Sequence, residues 1–136
     1  MDENKILIEK AILARDRSYS PYSKFKVGAS VLMEDGHIYT GCNIENASYT
    51  PTICAERTAI FKGVSEGNRK ILKIAIIGSS DYTYPCGVCR QVIKEFEDET
   101  VIIIANSIDD YKEYKLEELF PHGFGPKDLN KEELNV

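Results

Sequence analysis

The sequence predicts an α/β sandwich built on a mixed five-stranded sheet that is antiparallel at its start. Three observations carry this expectation. Continuous apolar runs of strand length at 71–78 and 101–105 alternate with segments of helical spacing at 54–64 and 86–96, the interleaving that layered α/β domains require. A hairpin pattern precedes them, with Asp35-Gly36 as its turn. At 136 residues the chain has room for one domain, residues 1–136, able to bury about two-thirds of the surface its unfolded form exposes.

Element by element, residues 4–17 place Ile6, Ile8, Ala11, Ile12, Leu13 and Ala14 on a broad helical face. Ser20-Pro21-Tyr22-Ser23 breaks that helix, because proline disfavours helix in the residue before it. Phe25, Val27, Ala29 and Val31 then alternate with smaller or polar residues, predicting a first strand paired to a second around 38–42. Residues 43–53 have no clear period and read as a loop. From Cys54 the helical spacing of Ala55, Ala59, Ile60 and Phe61 resumes and stops at Gly67-Asn68. The run at 71–78 fits a strand covered on both faces, 86–96 a second helix and 101–105 another buried strand. Residues 111–115 read as an edge strand and 116–120 as a short helix.

Composition narrows the function classes. Charged residues make up 29% and hydrophobic residues 43% of the chain, as in folded globular proteins. No run approaches the roughly 18 apolar residues that span a bilayer, and Met1-Asp2-Glu3-Asn4-Lys5 lacks the basic start of a signal peptide. A cytoplasmic location and no membrane partner are expected. The net charge of -5 disfavours nucleic acid, whose nonspecific binding rests on lysine and arginine displacing counterions. Four cysteines could form two disulfides, but in the cytosol a close pair with a remote partner is more often metal-binding or redox-active.

Cys54-Ala55-Glu56 opens one helix and Pro85-Cys86-Gly87-Val88-Cys89 opens another. Cys54, Cys86 and Cys89 are one ligand short of a closed tetrahedral zinc site, and the open position is what permits chemistry on a bound water. Zn²⁺ with three thiolates carries a formal -1, which two helix N-termini of roughly +0.5 each offset. Arg57 and Arg90, each directly after a motif element, are placed to add hydrogen bonds to thiolate. Glu56, beside a ligand without being one, is the candidate proton carrier. The competing reading is a structural zinc module, for which Cys42, His37 or His122 would have to supply a fourth ligand. Glu56 would then be only a helix-start carboxylate favoured by the dipole.

The pattern of a cysteine, X-Glu, then Pro-Cys-X-X-Cys is the signature of zinc-dependent deaminases. The chain resembles, nearly end to end, the small, homotetrameric, zinc-dependent cytidine deaminases. The resemblance rests on Pro21-Tyr22-Ser23-Lys24-Phe25 with Val27-Gly28-Ala29, on Gly41-Cys42-Asn43-Ile44-Glu45-Asn46-Ala47, and on Cys54-Ala55-Glu56-Arg57-Thr58-Ala59. Pro85-Cys86-Gly87-Val88-Cys89-Arg90-Gln91 and Phe124-Gly125-Pro126-Lys127-Asp128-Leu129 complete it. It implies a three-layer sandwich with helices on both sheet faces, and one zinc per subunit on Cys54, Cys86 and Cys89. Glu56 is then the proton shuttle. The resemblance further implies a nucleoside substrate, with Asn43 and Glu45 on the ribose 3′-hydroxyl and Phe25 near the base. The backbone at Ala55 would meet the pyrimidine carbonyl, and Tyr49 would end the substrate loop. Phe124 would reach a neighbouring subunit's pocket, and Arg57 would hold the thiolates. The implied reaction is hydrolytic deamination of cytidine and 2′-deoxycytidine in pyrimidine salvage; a deaminase for another aminated ring stays open beside it. One departure stands out: Tyr84 precedes Pro85 where the family often has a small hydroxyl residue. It makes the tyrosine-rich stretch 81–84 the least determined part of the site.

Overall fold

The structure, a computed structural model, describes residues 2–129. Helix α1 (Glu3–Arg15) is followed by strands β1 (Gly28–Met33) and β2 (Ile38–Cys42), helix α2 (Ala55–Ser65) and strand β3 (Ile71–Ile77). Helix α3 (Gly87–Phe96), strands β4 (Glu97–Ala105) and β5 (Tyr111–Lys115) and the short helix α4 (Leu116–Leu119) complete the main body. A 3-10 turn at Pro126–Asp128 lies in the tail. The five strands form one sheet in the order β2-β1-β3-β4-β5. Only β3 and β4 run parallel, joined through α3; the other neighbours are antiparallel.

Two cores separate three layers. On one face, Leu7, Ile8 and Ala11 of α1 pack on Ala75, Ile77, Ile103 and Ala105. On the other, Ala55, Ala59, Ile60 and Ile93 of α2 and α3 pack on Val31, Ile74, Ile76, Ile102 and Ile104. Alternate residues of β3 and β4 therefore serve opposite cores, which is why both strands read as unbroken apolar runs. Each buried Ile or Leu side chain contributes about 1.5–3 kcal/mol by leaving water. The Asp2 side chain caps α1 by accepting from the Lys5 N–H at 2.9 Å, a bond of a kind that typically adds ~1 kcal/mol.

The hairpin differs from expectation at its start. β1 begins at Gly28, and Phe25 and Val27 lie in the preceding loop, because their neighbourhood bonds sideways. The Lys26 N–H donates to Ser79 Oγ at 2.7 Å and the Val27 N–H to Asn43 Oδ1 at 2.9 Å. β4 begins at Glu97, directly after α3, four residues before the apolar run; Glu97 pairs with Ile71 before the register shifts. Close packing positions α2. A Cβ added to Gly41 of β2 would lie 2.5 Å from the Ala59 backbone nitrogen and 2.7 Å from the Ala55 oxygen, so the helix rests directly on the strand's backbone.

Candidate active site and metal centre

Cys54 is the N-cap of α2, and Ala55 and Glu56 are its first two helical residues. Cys86 is the N-cap of α3, with Cys89 in the first turn. Both helix starts point into one place because α2 and α3 share the same sheet face. The sulfurs of Cys54, Cys86 and Cys89 all lie within 4.8 Å of one another, with Cys54 and Cys86 3.7 Å apart. Neither cap cysteine makes a side-chain cap bond, so the first-turn N–H groups face the cluster unclaimed by those side chains. Thr58 Oγ1, one turn after Cys54, lies 3.1 Å from the Cys42 carbonyl and 3.2 Å from that of Cys54. It ties the ligand to the end of β2.

The chemistry of this donor set fits zinc. Three soft sulfurs on two helix starts make a trigonal base, and among the described residues the cluster consists of these three alone. Cys42, His37 and His122 are outside it, so the described residues provide no fourth protein ligand for a closed structural site. The Cys54 thiol is brought down to about 5, first by the hydrogen bond from Cys89 and then by Arg57. The same contact with Cys54 holds Cys89 above an ordinary thiol. A metal replaces such protons on binding. Arg57 Nη2 donates to Cys54 Sγ at 3.4 Å, and its buried Nε has no hydrogen-bond partner among the described residues. Arg90 corrects the expectation made for it. It donates from Nε to the Pro85 carbonyl at 2.7 Å and from Nη1 to the Leu119 carbonyl, bracing α3 against α4 instead of meeting sulfur.

Glu56 is 4% exposed and burial pushes its carboxyl up to about 7. It lines a cavity of about 170 Å³ with Cys54, Ala55, Cys86 and Asn43. That volume falls below the ~300 Å³ at which drug-sized sites begin, so it suits one small ring. A neighbouring pocket of about 330 Å³ is lined by Glu45 and Tyr49 with Tyr22 and Ser23, and Thr52 borders both spaces. A cleft of about 340 Å³ between α1, β2 and α2 touches Cys42 but none of the cluster's sulfurs.

Asn43 is pinned at the cavity wall. Its Oδ1 accepts from Ser18 Oγ at 2.5 Å and from the Val27 N–H, and its Nδ2 donates to the Phe25 carbonyl at 2.8 Å. Glu45 accepts from the Tyr22 N–H at 2.9 Å, the Ser23 N–H at 3.2 Å and Ser23 Oγ. Those bonds, the Ser23 hydroxyl first, hold its carboxyl below the usual range. Phe25 is not among the residues that line the cavity; its ring tip lies near Gly78. Tyr49 is 74% and Phe124 57% exposed; Phe124 is held through its carbonyl, which accepts from Gln91 Nε2 at 2.7 Å. Within one chain these two aromatics are not brought to the sulfur cluster. Ser18, Thr52 and Thr83 were not foreseen. Thr58 alone had a signal, its spacing of four from Cys54.

Residues 1–105 match the family described as "Cytidine and deoxycytidylate deaminase zinc-binding region". The chain is 45% identical over 130 residues to a cytidine deaminase of Halalkalibacterium halodurans, covering 94% of this chain and 98% of that one. It is 46% identical over 132 residues to a cytidine deaminase of Sporosarcina psychrophila, covering 96% of each. Among solved structures, the cytidine deaminase from Burkholderia pseudomallei superposes with a TM-score of 0.80 at 38% identity, over 91% of this chain and all of that one. The cytidine deaminase from Mycobacterium tuberculosis gives 0.80 at 35%, over 92% and 99%.

Proposed function

Because this chain belongs to the cytidine and deoxycytidylate deaminase family, we propose that it hydrolyses cytidine and 2′-deoxycytidine to uridine and 2′-deoxyuridine, releasing ammonia, as a step of pyrimidine salvage in the cytoplasm. The observation that carries this reading is the buried Glu56 carboxyl in one cavity with the sulfur cluster and Asn43. Cys54, Cys86 and Cys89 would hold one zinc ion per chain, and that ion would lower the pKa of a bound water toward neutrality. Glu56 takes a proton from the attacking water and delivers it to ring N3 as the oxygen adds to C4. It then takes the remaining proton of the C4 hydroxyl and hands it to the departing amino group, so that the C4–N bond breaks and the C4 carbonyl forms. A buried carboxyl in one cavity with the sulfur cluster is placed for both directions of transfer. Arg57 holds the Cys54 sulfur, and the Ala55 N–H, free in the first turn of α2, is available to the pyrimidine carbonyl. Asn43 and Glu45, both fixed by neighbouring groups, present an amide and a carboxylate to the ribose 3′-hydroxyl, with Phe25 beside the base.

The exposed Phe124, available to a neighbour, supports a homotetramer in which subunits complete one another's pockets. Sedimentation with parallel assays tests the assembly: activity should vanish as the protein is diluted to monomers, and a fully active monomer would remove it. A panel of aminated nucleosides tests the reaction. Loss of the cytosine absorbance with one ammonia per turnover is expected for cytidine and 2′-deoxycytidine. Turnover of a different ring system alone would overturn the substrate assignment.

A further inference from the structure

Between β3 and α3 the chain runs through Ser79 to Cys86 without regular structure, and Thr83, Tyr84 and Cys86 of this segment line the cavity that holds Glu56. Its ends are tied locally: the Ser79 hydroxyl accepts from the Lys26 N–H, and the Pro85 carbonyl accepts from Arg90. The two tyrosines between them are held by β5 and the residue before it. Tyr82 donates its hydroxyl to Asp110 at 2.5 Å, and Lys112 Nζ lies 4.3 Å from the Tyr82 ring centroid. The Tyr84 and Tyr114 hydroxyls are 2.6 Å apart, with the rings edge to face at 5.6 Å. Asp110, Lys112 and Tyr114 are alternate residues and share one strand face. Their partners across the ladder, Ile104 for Lys112 and Ile102 for Tyr114, belong to the core beneath α2 and α3, and both Tyr82 and Tyr114 pack on that core.

We propose that this face of β5 is a clamp that fixes the cavity-lining segment, and that Tyr114, acting through Tyr84, is a positioning residue for the deamination. The inference rests on the reaction assigned above. The Tyr84 hydroxyl is engaged by Tyr114, so Tyr84 contributes to the site through where it holds the backbone next to Pro85 and Cys86. Asn43, on the far wall, is held by Ser18, Val27 and Phe25, with no contribution from β5. Loosening the clamp therefore acts on the reacting end and spares ribose binding.

The test uses zinc-loaded Tyr84→Phe, Tyr114→Phe and the double variant, with cytidine turnover expressed per bound zinc. Loss of one neutral hydrogen bond corresponds to a fall in kcat of about 2- to 10-fold, with KM unchanged. The double variant should be no slower than the slower single variant, because both substitutions break the same bond. Amide exchange should quicken in Tyr114→Phe over residues 79–86 and nowhere else. Wild-type kcat in both single variants, effects that add in the double variant, or exchange that quickens throughout the molecule would each overturn the clamp. An inactive wild-type protein would instead refute the reaction assignment, and the exchange measurement would still decide the clamp.

Discussion

Gly41→Ala tests how closely the site depends on the contact between α2 and β2. The added Cβ would lie 2.5 Å from the Ala59 nitrogen and 2.7 Å from the Ala55 oxygen, both backbone atoms of α2. Nonbonded carbon contacts settle near ~3.5–4 Å, so the helix must retreat by on the order of 1 Å. Overpacking of this kind costs ~1–3 kcal/mol, a fall in melting temperature of about 3–15 °C for a domain of this size. The retreat carries Cys54 and Glu56 with it, so zinc affinity and turnover should fall beyond what the lost stability explains. Gly28→Ala is the matched control. Its Cβ would meet the Ala11 oxygen at 1.9 Å, but α1 lies on the opposite sheet face. It should lose at least as much stability while the surviving folded protein keeps its zinc affinity. Thermal melts paired with competitive zinc titration read both quantities. A Gly41→Ala protein with wild-type melting temperature and wild-type zinc affinity would refute the reasoning.

Two further outcomes follow from single side chains. Arg57→Ala removes the hydrogen bond to Cys54 Sγ, and support of this kind is typically worth about 10–100-fold in metal affinity or activity; an unchanged rate at unchanged zinc content would show that the helix N-termini suffice. Asp35, in the β1–β2 turn, is held well below the usual carboxylate range by Asn68 first and then by the His37 N–H. A depressed folded-state value means the stabilisation is full above the unfolded value of about 4 and is lost as pH falls below it. Asp35→Asn should therefore be less stable than wild type at neutral pH, with the gap narrowing under acid. A gap that stays constant down to pH 2 in denaturant titrations would contradict this.

Much of the candidate site's placement was legible because its signals are local. Cysteines followed by helical spacing placed Cys54, Cys86 and Cys89 at two helix starts, and the runs at 71–78 and 101–105 placed the strands that carry those helices. What escaped was set by distant partners. Arg90 sits one residue past Cys89, about 100° around the helix, and finds the carbonyls of Pro85 and Leu119; adjacency to a ligand says nothing of direction. Val27 alternates like a strand residue, yet its N–H is taken by the Asn43 side chain. The polar start of β4 pairs through its backbone, which side-chain hydropathy does not register. The tyrosines at 82 and 84 gained meaning only when β5 was seen to grip them.

The most direct measurement is zinc content together with ammonia release for Glu56→Gln. The amide keeps the shape but neither takes nor gives a proton near neutral pH, so the protein should retain its zinc while turnover falls by about 10²–10⁴-fold, the usual worth of a positioned acid–base group. Full turnover in the zinc-loaded variant would contradict the assignment of Glu56 as the group that carries protons between water, ring and leaving amine.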